Sequence, residues 1–207
     1  MNVLEIKYLN NSISAVELEY IKKHIPERFA FSLSYKSEES RNLTLLSGIL
    51  IYNNLHVDEC SIQYNKLKKP YLNNGPFFNV SHSKDMVVFA KSNDKIGIDI
   101  EAINEKNKNI LDYAFNDKEK EYILNGKDNY SQIERLIKIW TIKESLFKAS
   151  SSEKYIEPIN LNAFVEMKTN CALEIFDNND GHEKIANKDN RFLELARIPF
   201  LEEEYNE

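Results

Sequence analysis

The stretch Ile96-Gly97-Ile98-Asp99-Ile100-Glu101 decides the fold class. Strict alternation places three isoleucines on one face of an extended chain and Asp99 with Glu101 on the other, about 7 Å apart at the backbone, with Gly97 leaving an opening beside them. This predicts a strand, and the surrounding sequence supplies companions. Residues 57–64, 77–81, 86–92 and 95–101 read as strands separated by turn signals, including Asn73-Asn74-Gly75-Pro76. Helices precede them. Ser14-Ala15-Val16-Glu17 has the form of a capping box, opening a helix that Pro26 closes, and residues 38–54 carry Leu43, Leu46, Ile49 and Leu50 on one helical face.

The second half repeats that order. Asn116-Asp117-Lys118-Glu119 starts a helix that stops near Gly126, and Ser131-Gln132-Ile133-Glu134 is a further capping box for a long helix to about residue 148. Strand-like runs follow at 161–167, 172–176 and 192–198, with a charged loop at 178–190 and an acidic tail at 201–207. Helices and then strands, twice, predict an α+β fold of two similar halves, residues 1–102 and 103–207, joined through the polar stretch 102–109.

The chain has 207 residues, 42% hydrophobic and 29% charged, with 11 Tyr and 11 Phe, which is enough apolar matter for order nearly throughout. No apolar run reaches the roughly 18 to 20 residues of a membrane span, and the start lacks a basic region followed by an apolar core, so no membrane association and a cytoplasmic location are expected. The net charge of −6 disfavours nucleic acid as a partner. Five glycines, none two apart, cannot write a dinucleotide fingerprint or a P-loop. Cys60 and Cys171 have neither metal-ligand nor redox spacing.

The chemistry-bearing signal is a set of carboxylates. In Trp140-Thr-Ile-Lys-Glu-Ser-Leu-Phe-Lys-Ala149, Glu144 falls inside the apolar arc formed by Ile133, Leu136, Ile137, Trp140 and Phe147. A buried, unpaired carboxylate costs several kcal/mol or protonates, so Glu144 needs a cation or a set of donors. An i,i+4 pair with Lys148 on a surface helix is one explanation, and a solvent-exposed Asp99-x-Glu101 face is the corresponding plain reading of the strand. Taken together, two repelling acids on a strand and a third on an apolar helix face describe an oxygen-ligand site for a hard divalent cation such as Mg²⁺, which points to phosphoryl chemistry. Ser81-His82-Ser83 at a strand end and Lys68-Lys69-Pro70 in a turn offer groups able to contact a phosphate, or simply to organise a loop.

Lys69-Pro70, Phe78-Asn-Val-Ser-His-Ser83, Ile96-Gly-Ile-Asp-Ile-Glu101 and Trp140-Thr-Ile-Lys-Glu-Ser-Leu-Phe-Lys148 occur in the order and approximate spacing of the Sfp-like 4′-phosphopantetheinyl transferases, which the chain resembles from about residue 26 to 161. The resemblance implies a monomer of two pseudo-symmetric α+β halves, with coenzyme A and Mg²⁺, or Mn²⁺ in its place, in the cleft between them. It implies transfer of the 4′-phosphopantetheine arm to a serine of an apo acyl or peptidyl carrier protein, releasing adenosine 3′,5′-bisphosphate. Asp99, Glu101 and Glu144 would be metal ligands; Ser81 and His82 would contact coenzyme A phosphate; Lys69 and Pro70 would border the nucleotide. Lys148 would face the pyrophosphate, and Glu119 or Glu144 would take the serine proton. Arg28 stands where a phosphate-binding Lys is expected and Thr44 where a nucleotide-contacting Thr is expected. The chain departs from the family at Phe29, Ala30 and Phe31, where a second basic residue often follows the Arg28 position, and at Ala149-Ser-Ser-Ser152, where glycines are usual. A docking patch for the carrier is expected around Tyr113, Phe115 and Tyr122. The alternatives are a Mg²⁺-dependent nucleotide pyrophosphate hydrolase and a catalytically silent carrier-binding module.

Overall fold

The computed structural model describes residues 3–8, 13–103, 109–150, 156–164, 172–176 and 193–199. The loop 178–190, the tail 201–207 and residues 165–167 of the strand expected at 161–167 lie outside them. Two units are resolved, Met1–Asn93 and Asp94–Glu207.

In the first unit, strand β1 (Val3–Tyr8) leads into helices α1 (Ala15–His24), α2 (Pro26–Ser32) and α3 (Glu38–Leu55). Ser14 caps α1 with the full capping box, its side chain accepting from Glu17 N–H. Pro26 both ends α1 and begins α2, since its fixed φ suits the first turn of a helix. Ser37 caps α3, and His56 closes it in the left-handed conformation.

The strand expected at 57–64 is mostly another structure. A 3-10 turn occupies Glu59–Ser61, leaving only β2 (Gln63–Tyr64), which pairs with β3 (Pro70–Tyr71) across a tight turn. Strands β4 (Phe77–Ser83) and β5 (Met86–Ser92) form a hairpin, and β1 adds antiparallel to β5, giving the sheet order β1-β5-β4. The alternation of Val3-Leu-Glu-Ile-Lys-Tyr8 is the signal for β1, a strand beyond those expected from the sequence. Ile21, Ile25, Leu46, Leu50, Val87 and Phe89 lie in the core between helices and sheet.

In the second unit, β6 (Ile96–Ala102) pairs antiparallel with β8 (Leu193–Pro199), which pairs with β7 (Ala172–Phe176), so among the described residues the deciding stretch is an outer strand of a β6-β8-β7 sheet. β6 is thus paired with a strand that lies far after it in the chain. Helices α4 (Leu111–Ala114), α5 (Asp117–Leu124) and α6 (Asn129–Ser150) complete the unit. Asn116 and Glu119 make the expected capping box. α6 starts earlier than Ser131, because Asp128 supplies the cap: its Oδ1 accepts from Ser131 N–H at 2.7 Å. Ala163 and Phe164 are helical rather than extended. Two of the three aromatics expected to dock a carrier are committed elsewhere: Phe115 is fully buried in the core, Tyr122 packs edge-on to Phe164, and Tyr113 is exposed.

Candidate active site

Alternation in β6 works as expected, yet both faces are largely covered, with only Glu101 partly reaching solvent. Ile96, Ile98 and Ile100 are buried on one side, and Asp99 on the other is only 3% exposed. The cause is α6, which lies directly against the acidic face: a Cβ on Gly97 would stand 1.8 Å from the Ser145 carbonyl oxygen and 2.7 Å from the Ala149 nitrogen. The opening beside the acids is thus filled by helix backbone, and the absence of a side chain at Gly97 is what permits the approach.

That approach brings three of the candidate residues together. Lys148 Nζ donates to Asp99 Oδ1 at 2.5 Å, in a largely desolvated setting where the pair is only weakly screened. Glu144, one helical turn before Lys148, has its carboxyl pushed above the ordinary value, first by burial and then by the charge of Asp99, with Lys148 opposing the rise. Two carboxylates that repel across the β6–α6 contact are held beside one ammonium. Glu101 shares the Asp99 face of β6 by register and is half-exposed.

The donor set fits a hard dication. All three are carboxylates, the oxygen chemistry Mg²⁺ prefers, and the ammonium of Lys148 already supplies positive charge to Asp99. Among the described residues, no three His, Cys, Asp or Glu side chains are gathered as a ready ion-binding cluster.

Glu119 is placed differently. It is fully buried, its Oε2 lies 2.6 Å from Lys143 Nζ, and its oxygens also accept from Asn116 N–H at 2.9 Å and Ala163 N–H at 3.2 Å. Lys143 is as deeply buried, donates to the Pro158 carbonyl at 2.9 Å and lies over the Phe115 ring. The pair ties the start of α5, the middle of α6 and the residues after 156 into one clasp. A helical wheel does not reveal Lys143, because a cation on the side of an apolar helix reads as a solvated group until a buried carboxylate is known to face it.

The remaining candidates belong to the first unit. Arg28 Nη2 donates to the Tyr64 hydroxyl at 2.9 Å, and the guanidinium stem passes over Gly48, where a Cβ would meet Arg28 Cδ at 2.4 Å. Thr44 Oγ1 donates to the Ser40 carbonyl of its own helix at 2.9 Å. Lys69 and Pro70 follow the β2–β3 turn, half-buried, with Lys69 N–H donating to Asn65 Oδ1 at 2.9 Å. Ser81 and His82 are consecutive in β4, so the strand sends them to opposite faces; Ser81 is buried and His82 exposed. A cavity of about 590 Å³ lined by Glu27, Arg28, Phe31, Glu59, Ile62, Tyr64 and Lys68 opens beside Arg28. No helix among the described residues is long and apolar enough to cross a membrane.

Residues 95–203 match the family model of the 4′-phosphopantetheinyl transferase superfamily. The chain is similar to the 4′-phosphopantetheinyl transferase gsp of Aneurinibacillus migulanus, at 44% identity over 97 residues, covering 46% of this chain and 40% of that protein. It is also similar to the 4′-phosphopantetheinyl transferase Sfp of Bacillus subtilis (strain 168), at 28% identity over 150 residues, covering 68% of this chain and 66% of that protein. Each matched stretch spans less than two thirds of the relative's own length.

Proposed function

The chain belongs to the 4′-phosphopantetheinyl transferase superfamily, and from this premise we propose that it moves the 4′-phosphopantetheine arm of coenzyme A to a serine of an apo carrier protein. The serine oxygen attacks the pantetheine-bearing phosphorus, the pyrophosphate bridge breaks, and adenosine 3′,5′-bisphosphate leaves. Support comes above all from the meeting of buried Asp99 with partly buried Glu144 and Lys148 across the β6–α6 contact. Such a charge arrangement is costly to a domain that has no use for it.

Asp99, Glu101 and Glu144 would hold Mg²⁺, which when bound supplies charge neutralisation to the pyrophosphate oxygens. Lys148 moves its ammonium from Asp99 to the leaving phosphate, whose growing negative charge it offsets. Glu144, through a water, receives the serine proton. Glu119 serves as a positioning residue rather than the base, a role supported by its complete burial and its bond to Lys143. Arg28, Thr44, Lys69, Pro70, Ser81 and His82 are assigned to the nucleotide side of coenzyme A, with His82 the more accessible of the two β4 residues. Phosphoryl transfer needs chiefly alignment and charge neutralisation, which such a set supplies.

Mass spectrometry of apo carrier proteins after incubation with coenzyme A and Mg²⁺ tests the reading. The expected result is the phosphopantetheine mass on a carrier serine. Coenzyme A cleavage that proceeds equally without carrier would instead mark a pyrophosphate hydrolase, and binding without either product a silent carrier-binding module.

A further inference from the structure

Lys68 stands at φ 64, in the left-handed region that a side chain with a Cβ adopts at an energetic cost. Glycine would occupy this place freely. The turn around it is firmly built: Asn65 Oδ1 accepts from Leu67 N–H at 3.0 Å and from Lys69 N–H at 2.9 Å, while Lys68 N–H donates to the Asn65 carbonyl at 2.9 Å. The backbone conformation at residue 68 is thus imposed by the turn, and a lysine occupies it despite the strain. Strain retained in an over-determined turn accompanies function when the strained residue faces a ligand space. Lys68 lines the cavity beside Arg28.

The charges around that cavity sort unequally. Glu59 is committed to the protein, since its two oxygens accept from Glu27 N–H at 2.8 Å and Arg28 N–H at 2.7 Å. Glu27 is exposed and can hold a donor of a ligand. Arg28 and Lys68 are the cations of the lining, and Phe31, Ile62 and the Tyr64 ring furnish an apolar and aromatic wall. Two cations beside such a wall, in a volume within the range of small-molecule sites, match a phosphoryl group carried on an aromatic nucleoside.

We propose that Lys68 is a ligand-binding residue of this cavity, sharing with Arg28 a phosphoryl group of the nucleotide half of the substrate. The proposal rests on the coenzyme A reading and adds to it a contact by a residue adjacent to, and distinct from, Lys69. It explains why a turn that favours glycine carries a long cation.

The test is calorimetric titration of the full chain with adenosine 3′,5′-bisphosphate and, separately, with adenosine. Lys68→Gly relieves the backbone and removes the ammonium, so its unfolding midpoint should equal or exceed that of the native chain while its affinity for the bisphosphate falls about tenfold, the worth of one charge-assisted hydrogen bond. Lys68→Arg should keep the bisphosphate affinity within about threefold, because charge and reach persist. Adenosine binding should be unchanged in both. If the native chain modifies carriers but Lys68→Gly binds the bisphosphate as tightly as the native chain does, Lys68 is only a turn residue and the proposal is overturned. If the native chain neither binds the bisphosphate nor modifies a carrier, the coenzyme A reading falls and takes the proposal with it.

Discussion

Lys143 Nζ and Glu119 Oε2 lie 2.6 Å apart with neither side chain reaching solvent. A buried ion pair gains little over apolar residues of the same shape, but removing one partner strands the other charge. Met offers neither the charge nor the donors that Lys143 gives Glu119 and the Pro158 carbonyl, so Lys143→Met should cost about 3–5 kcal/mol in denaturant unfolding, and adding Glu119→Leu should recover part of that loss. Recovery should be incomplete, since Glu119 also accepts from the backbone amides of Asn116 and Ala163. Were Glu119 the catalytic base, Glu119→Gln would keep native stability and lose turnover. The expected result is the reverse weighting, a lowered unfolding midpoint that accounts for whatever turnover is lost.

The same pair sets a pH dependence. Burial outweighs the pull of Glu119 and holds the Lys143 ammonium below its ordinary value of 10.5. Between its folded value and 10.5, the unfolded chain binds more protons at this group than the folded chain does, so stability from Lys143 rises with pH across that window. Below the window both states are protonated and the slope vanishes. Equilibrium unfolding of the native chain and Lys143→Met at matched alkaline pH values should show the native chain gaining on the variant as pH rises toward 10.5.

Gly97 controls how closely α6 approaches β6. A methyl group there meets the helix backbone at Ser145 and Ala149, and backbone cannot swing aside as a side chain end does. Gly97→Ala should lower stability by about 1–3 kcal/mol or more, the usual range for overpacking. It should also reduce turnover, because Glu144 and Lys148 ride on the displaced helix. Thermal unfolding and a turnover assay on the same preparation check both parts.

Legibility followed the reach of each signal. Capping boxes at Ser14 and Asn116 act within one helical turn, and both helices begin where those residues place them. The stretch at Ile96 announces its own strand, but its partner β8 lies far along the chain, so that pairing could not be read locally. The Asp99 face reads as open to water until α6 is laid on it; only then does Gly97 become a contact surface rather than a gap. The run before Tyr64 has strand-like composition yet bends into a 3-10 turn, where Glu59 reaches the α2 amides. Lys143 and Glu119 are each ordinary charged residues in sequence and acquire meaning only by facing one another.

Glu144 separates stability from turnover most sharply. Its carboxylate is disfavoured by burial and by Asp99, so Glu144→Gln removes a repulsion while preserving shape. The unfolding midpoint of the variant should match or exceed that of the native chain, whereas arm transfer to a carrier should fall roughly a hundredfold to a thousandfold or beyond, as when a preorganised charge is lost from a transfer site. Coenzyme A with Mg²⁺ should raise the midpoint of the native chain more than coenzyme A with a chelator, because an ion bound only by the folded state stabilises it. That Mg²⁺-dependent increment should shrink in Glu144→Gln and in Asp99→Asn alike. Near-normal transfer by Glu144→Gln, or an increment untouched by both substitutions, would remove Asp99 and Glu144 from the ion site and leave their convergence on Lys148 as a structural contact of β6 with α6.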